Sequence, residues 1–113
     1  MHEYSLVQAL LTRVETEARA RGAVSVQRLQ LSIGRMAGVE HELFASAFRV
    51  SRRGTLCDGA ELAISAVEAR WACRLCGREV RQGEVLSCPA CGSPARLVSG
   101  DEIVLERIEM EVA

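Results

Sequence analysis

The sequence predicts an α+β fold: a small three-stranded mixed sheet with two helices, and an inserted module built on two cysteine knuckles. Three observations carry this. Apolar residues recur at helical spacing in two segments, one near the start of the chain and one after Gly38. Alternation of apolar and polar residues marks three further segments as strands. Four cysteines in two C-x-x-C pairs, Cys73/Cys76 and Cys88/Cys91, fall between the last two of those strands.

The elements follow in order. From Tyr4 to Arg21, Val7, Leu10, Leu11, Val14 and Ala18 recur at spacings of three and four and form one apolar stripe. Gly22 then suits the left-handed residue that ends a helix. Val24 to Ile33 reads as a strand, because Leu29, Leu31 and Ile33 alternate with Arg28, Gln30 and Ser32. Val24 and Val26 lie in the opposite phase, which implies a bulge or a later start. Gly34 to Gly38 is a loop. A second helix runs from about Glu40 to Arg53, burying Leu43, Phe44, Ala47 and Phe48 and ending at Gly54. Ala60 to Trp71 reads as one long strand with Leu62, Ile64 and Ala66 on one face. Ile103 to Val112 is the last strand, with Ile108, Met110 and Val112 on one face and Arg107, Glu109 and Glu111 on the other. The second helix is long enough to cross over between two parallel strands, a right-handed connection. The last strand is expected to return antiparallel to the second, with the cysteine module at the tip of that hairpin. Residues 1–70 with 100–113 then form one α/β domain, and residues 71–99 the module.

Composition narrows the function. A chain of 113 residues suits one compact domain with a small satellite. All 14 basic residues are arginine, with no lysine and no asparagine, which reads as genomic composition bias. A net charge of −1 argues against a general nucleic-acid binder, which needs a basic excess to displace phosphate counterions. No apolar run approaches the roughly 20 residues that span a bilayer. No basic-then-apolar leader is visible, and Gln8, Arg13, Glu15 and Glu17 interrupt the first helix. The expected compartment is the cytoplasm, where five cysteines in a short chain point to metal rather than disulfides. No Ser-His-Asp set, glycine-rich phosphate loop or carboxylate pair is evident, so no enzyme is expected.

The cysteine module is zinc-ribbon-like. Each C-x-x-C is followed by glycine, Gly77 or Gly92, which permits a tight turn with backbone amides aimed at sulfur. Pro89 stiffens the second knuckle. Two knuckles present Cys73, Cys76, Cys88 and Cys91 as four tetrahedral thiolates, the set zinc favours. Four protein ligands leave no open position, so such a zinc is structural, and its binding energy folds a segment with little core. Iron in a rubredoxin-like site competes, but that setting is rich in aromatic residues and this module has only Trp71 at its base.

Two histidines remain, His2 and His41. A terminal histidine is ordinarily incidental. Here a bulky second residue tends to keep the initiator Met1 in place, and the α-amine, a backbone amide and the His2 imidazole can chelate in fused five- and six-membered rings. Such nitrogen donors favour a planar ion, nickel(II) or copper(II), over zinc or magnesium. Glu3 and the loop at Glu40–His41 are further candidate ligands if the first helix packs there.

Together, the opening "MHEYSL", the strand "LQLSIG", the helix "ELFASAF" and the paired cysteines resemble the HypA/HybF family of nickel metallochaperones, over essentially the whole chain. The resemblance implies delivery of nickel to the large subunit of [NiFe] hydrogenase, in concert with a maturation GTPase. Some members also serve urease and its maturation proteins. It further implies nickel binding at Met1, His2 and Glu3, a contribution from the acidic residue at Glu40, and structural zinc on the four cysteines. His41 departs from the family pattern and reads as a solvated residue, with an extra ligand as the alternative.

Other features take plainer readings. Cys57, alone in "TLCDGAEL", reads as a small buried thiol. Arg52 and Arg53 read as a solvated helix end. Glu106, Glu109 and Glu111 read as an outward face, and Trp71 as packing where sheet and module meet. The competing function is a zinc-ribbon interaction module that binds nucleic acid or a large assembly through Arg74, Arg78, Arg81 and Arg96. The lack of interleaved aromatics and the slightly acidic chain count against it.

Overall fold

The computed structural model describes residues 2–80, 87–88 and 90–113; Met1, Arg81 and Pro89 therefore lie outside the described residues. Two helices, a mixed three-stranded sheet and a cluster of four cysteines make up the fold, as the sequence predicts. The chain forms two compact units: Met1–Ser32 with Val39–Ser65 and Val104–Ala113, and Ile33–Gly38 with Ala66–Ile103.

In the first unit, helix α1 (His2–Ala20) buries Val7, Leu11, Val14 and Ala18, which its three-and-four spacing sets on one face. Gly22 follows at φ +71°, where a side chain would be strained. Strand β1 (Ala23–Gly34) buries Val26, Leu29, Leu31 and Ile33. The buried face thus changes phase between Val26 and Leu29 within one continuous strand, so the early valines mark an irregularity and not a late start. Helix α2 (His41–Ser51) packs against α1 and buries Phe44 and Phe48. Each fully buried phenylalanine contributes on the order of 2–3 kcal/mol.

Three details of this unit differ from the sequence reading. Leu43 is 56% exposed, because it sits one residue off the face that Phe44 and Phe48 define. The helix also ends at Ser51, two residues early. Arg52 is not merely solvated: it donates to the Ala60 carbonyl at 2.5 Å and lies 5.8 Å from the centre of the Phe48 ring. Cys57 is buried, as expected of a small thiol.

The expected second strand divides in two. Strand β2 (Glu61–Val67) belongs to one sheet, and β3 (Arg70–Cys73) to another with β4 (Glu79–Val80) and β5 (Ala95–Ser99). The last strand, β6 (Ile103–Val112), has the bounds the alternation predicts. Its partner differs, however, because the larger sheet runs β2-β1-β6 and β6 pairs with β1 rather than β2. Side-chain bonds across the sheet give the directions. Arg28 reaches Glu61 at 2.5 Å and Gln30 reaches Ser65 at 3.2 Å, so β1 and β2 advance together and are parallel. Arg28 approaches Glu109 at 4.0 Å and Ser32 donates to Glu106 at 2.7 Å, so β6 runs opposite to β1. These polar pairs occupy the face of β1 opposite its buried row. The glutamates of β6 are thus partly engaged within the sheet.

The second unit depends on a close backbone approach. The Gly34 N–H donates to the Glu102 carbonyl (2.9 Å), Arg35 to Val67 (2.8 Å) and Met36 to Gly100 (2.8 Å). A Cβ at Gly34 would lie 2.0 Å from the Gly100 carbonyl oxygen. Gly38, by contrast, has open space around it and requires glycine only for its φ of +73°. Gly34→Ala is therefore expected to lower stability by about 1–3 kcal/mol or more through overpacking. Gly38→Ala should cost only about 1–2 kcal/mol of backbone strain. Thermal unfolding of the two variants tests this ranking, and equal losses would contradict it.

Candidate metal centres

The two cysteine knuckles are built alike. In the first, the Cys73 N–H donates to the Arg78 carbonyl at 2.8 Å and the Gly77 N–H to the Cys73 carbonyl at 3.1 Å. In the second, Cys88 donates to Ser93 at 2.8 Å and Gly92 to Cys88 at 2.8 Å. Gly77 and Gly92 take φ of +75° and +71°, so glycine meets the turn's demand at both places. The first knuckle closes the β3–β4 hairpin, and the second lies inside a bridge between Ser87 and Pro94. Trp71 stands opposite Val80 and Leu97 within the small sheet.

This local architecture brings all four sulfurs within 4.8 Å of one another. Cys73 and Cys91 are 3.2 Å apart, and Cys76 and Cys88 3.6 Å. The backbone N–H groups of Leu75 and Cys76 point at the Cys73 sulfur at 3.4 and 3.5 Å. The Cys76 N–H in particular holds the Cys73 thiol below its ordinary range, and the N–H groups of Cys91 and Ala90 do the same for Cys88. At Cys76 the Arg78 N–H pulls the same way, but the Cys73 and Cys88 sulfurs outweigh it and push the thiol up to about 11. Four sulfurs in so small a volume cannot all be anionic unaided, whereas one divalent cation resolves the conflict. The donor set, its number and its inward amides fit a tetrahedral soft-ligand metal such as zinc.

The second unit has little apolar core of its own. Its buried apolar side chains among the described residues are Ile33, Ala72 and Val80, with Cys73 and Cys88. Cys57 is no part of the cluster; burial, with Glu15 adding to it, pushes its thiol up to about 11.

At the amino terminus, His2 is the first residue of α1 and is exposed. Glu3 lies in the first turn, and its carboxylate accepts the Glu40 N–H at 3.0 Å. Glu40 is the N-cap of α2, its own carboxylate accepting the Glu42 N–H at 3.3 Å. His41 follows, half-buried. The Glu40 N–H, with Glu3's own backbone N–H, holds the Glu3 carboxyl down to about 2. Thus the structure brings Glu3 to Glu40, residues 37 apart in sequence. It does not gather His2, Glu3, Glu40 and His41 as tightly as the cysteines; among the described residues, only the cysteines form such a cluster.

A family model described as "Hydrogenase/urease nickel incorporation, metallochaperone, hypA" matches residues 1–110. The chain belongs to the HypA family. A hydrogenase maturation factor HypA from Aquifex aeolicus is 40% identical over 114 residues, covering 99% of both chains. One from Nitrosospira multiformis is 40% identical over 112 residues, covering 97% of each. The solution structure of the nickel metallochaperone HypA from Helicobacter pylori superimposes with a TM-score of 0.76 at 28% identity over 98% of each chain. A second HypA solution structure gives a TM-score of 0.81, also at 28% identity, over 100% of this chain and 98% of that one. The HypA family is one of metallochaperones, hence of carriers and not of enzymes. No helix among the described residues is long and apolar enough to cross a membrane.

Metal removal has two expected signatures. Chelation should disturb the second unit first, shifting the fluorescence of Trp71, the only tryptophan, to longer wavelength while helical circular dichroism persists. Iodoacetamide should then label the cysteines of the released cluster and leave the buried Cys57 unmodified. Concerted loss of both spectroscopic signals would show that the two units fold as one.

Proposed function

We propose that this HypA-family protein binds nickel(II) at its amino terminus and hands it to the large subunit of [NiFe] hydrogenase during maturation. A maturation GTPase acts with it, and urease maturation proteins are a second client group in line with the family's description. The ligands are the Met1 α-amine, backbone amide nitrogen and the His2 imidazole, with Glu3 and Glu40 beside them. Zinc on Cys73, Cys76, Cys88 and Cys91 is structural. Residues 1–70 with 100–113 carry the nickel site and residues 71–99 the zinc, and the protein works in the cytoplasm.

The observation that carries the nickel reading is the bond from the Glu40 backbone to the Glu3 carboxylate. It draws the loop before α2 to the start of α1, so two chain segments that the family implicates in nickel binding meet. His2 beside them is exposed, as a site must be if its ion is to be passed on. The nucleic-acid reading has less support. A tetrathiolate zinc carries a double negative charge, and Arg74 and Arg78 on the first knuckle offset it.

His2→Ala, or a Gly-Ser extension before Met1, should abolish tight nickel binding in calorimetric titration and leave zinc content unchanged. Unaltered nickel titrations in both variants would remove the amino terminus from the mechanism. Nickel affinity should also fall from about pH 8 to about pH 6, with protons released on binding, because nitrogen ligands bind only when deprotonated. Glu3 does not supply that dependence. With a carboxyl lowered from 4.5 to about 2, its tie to Glu40 is complete above the ordinary value and is lost only as pH falls through about 2. Flat affinity across the upper range, with no proton release, would leave carboxylates as the ligands.

A further inference from the structure

The helices cover the larger sheet unevenly. In the central strand β1, the inner row of Leu29, Leu31 and Ile33 is fully buried. The inner row of β6 is not. Ser32 and Arg28 lie on the polar face of β1 and reach Glu106 and Glu109, which are three residues apart. Two residues an odd number apart share a face only if the alternation slips once between them. Leu105 therefore falls on the same inner face as Ile108, Met110 and Val112. The first three of these are half-buried, and Val112 is 55% exposed. Beside them lies a hollow of about 530 Å³, walled by Arg13, Glu17 and Arg21 of α1. Those three recur every four residues, along the flank of α1 next to its buried stripe.

Every described residue that lines this hollow belongs to the first unit. Its charges are unbalanced. Arg13 has no acidic partner among the described residues. Arg21 approaches Glu17 at 3.7 Å and Arg107 approaches Glu109 at 3.5 Å, with both arginines exposed. Such pairs are worth at most about 1 kcal/mol and yield readily to a competing carboxylate. Glu106 is already held by the Ser32 hydroxyl. The hollow thus combines an apolar floor with a surplus of positive charge. It is also long. From Leu105 to Val112 is roughly 23 Å at about 3.3 Å per residue, more than a compact small molecule spans. An α-helix of about four turns matches that length.

We propose that the trough between α1 and β6 is a docking groove for an amphipathic helix of a partner protein, apolar on one side and flanked by carboxylates. Its apolar stripe covers Ile108, Met110 and Val112, and its carboxylates meet Arg13, Arg21 and Arg107. A second copy of this chain has no such helix to offer. In α1, Glu15 and Glu17 are paired with Arg19 and Arg21, and the apolar stripe is already buried. Helix α2 carries one glutamate and one arginine. An extended strand would have to follow the outer edge of β6, where the slip near Arg107 breaks the even ladder it needs. A nucleic acid gains nothing from the apolar floor, and the chain's net charge of −1 opposes a phosphate polymer. The groove is independent of the nickel reading, because Arg13 lies about 16 Å along α1 from His2.

The test uses the full-length chain, isotopically labelled. The probe is a blocked helical peptide of roughly four turns, with leucine on one face and glutamate on its flanks. The same peptide with lysine in place of glutamate, and a strand-forming peptide of alternating glutamate and valine, serve as comparisons. The acidic helix should shift the amide resonances of residues 13–21 and 105–112 at low salt, and added salt should weaken the effect. Arg13→Gln should weaken binding by about fivefold, the upper end for one exposed ion pair. Val112→Asp should weaken it by about tenfold, through a lost apolar contact and a repelled carboxylate. Both residues are exposed, so neither change should alter thermal stability. Unmoved resonances, an equal response to the lysine peptide, a stronger response to the strand-forming peptide, or binding that survives both substitutions would each overturn the proposal. So would shifts of the same resonances with protein concentration alone, which would mark the groove as a surface for self-association. Zinc and nickel titrations on the same samples separate this outcome from failure of the metal sites.

Discussion

Strand β1 is the constraint on which the fold turns. It is the middle of the larger sheet, so both of its edges are paired, while one face is buried through Val26, Leu29, Leu31 and Ile33. A strand held on three sides has no freedom of register, since a slip of one residue would expose the whole buried row. The meeting of Glu3 and Glu40 is placed from it. Helix α1 enters at one end, and the chain leaves at the other through Gly34 into the loop that ends at Glu40. A parallel β2 requires α2 as a crossover, and the start of that crossover is where Glu40 meets Glu3.

The two units solve the problem of a core differently. In the first, two phenylalanines and the stripe of α1 cover the sheet, and apolar burial suffices. In the second, the buried apolar side chains among the described residues are five, two of them cysteines, so apolar volume is small and the sulfur cluster takes the place of a hydrophobic centre. A metal there would have the standing of core, and the cysteines that would hold it come in matched knuckles with amides turned inward. The Gly34–Gly100 approach shows the same economy: with little side-chain volume to pack, backbone packs on backbone.

The cysteine cluster and the amino terminus also contrast. The cysteine cluster is convergent, with four donors within 4.8 Å of one another. At the amino terminus, the carboxylate of Glu3 is committed to the Glu40 backbone, and that of Glu40 caps α2. Neither stands as a ready cage.

Much of this was legible in the sequence, because periodicity is local. The stripe of α1, the alternation of β1, the bounds of β6 and the spacing of the four cysteines each follow from neighbours a few residues apart, and so does the choice of metal they imply. The family resemblance rested on the same short strings. What the sequence could not decide was pairing. Alternation shows that β6 has an inner and an outer face but not which strand lies beside it, and it ran unbroken through residues 68–69, where the chain leaves one sheet for another. Helical spacing placed Leu43 with Phe44 and Phe48, yet how far α2 turns its face toward α1 is set by packing, which leaves Leu43 in solvent. Composition and local pattern determined the elements and the chemistry they can hold. Tertiary structure alone decided that Glu3 meets Glu40, that Gly34 meets Gly100 and that β6 lies beside β1, because contacts between distant residues depend on how whole faces fit together.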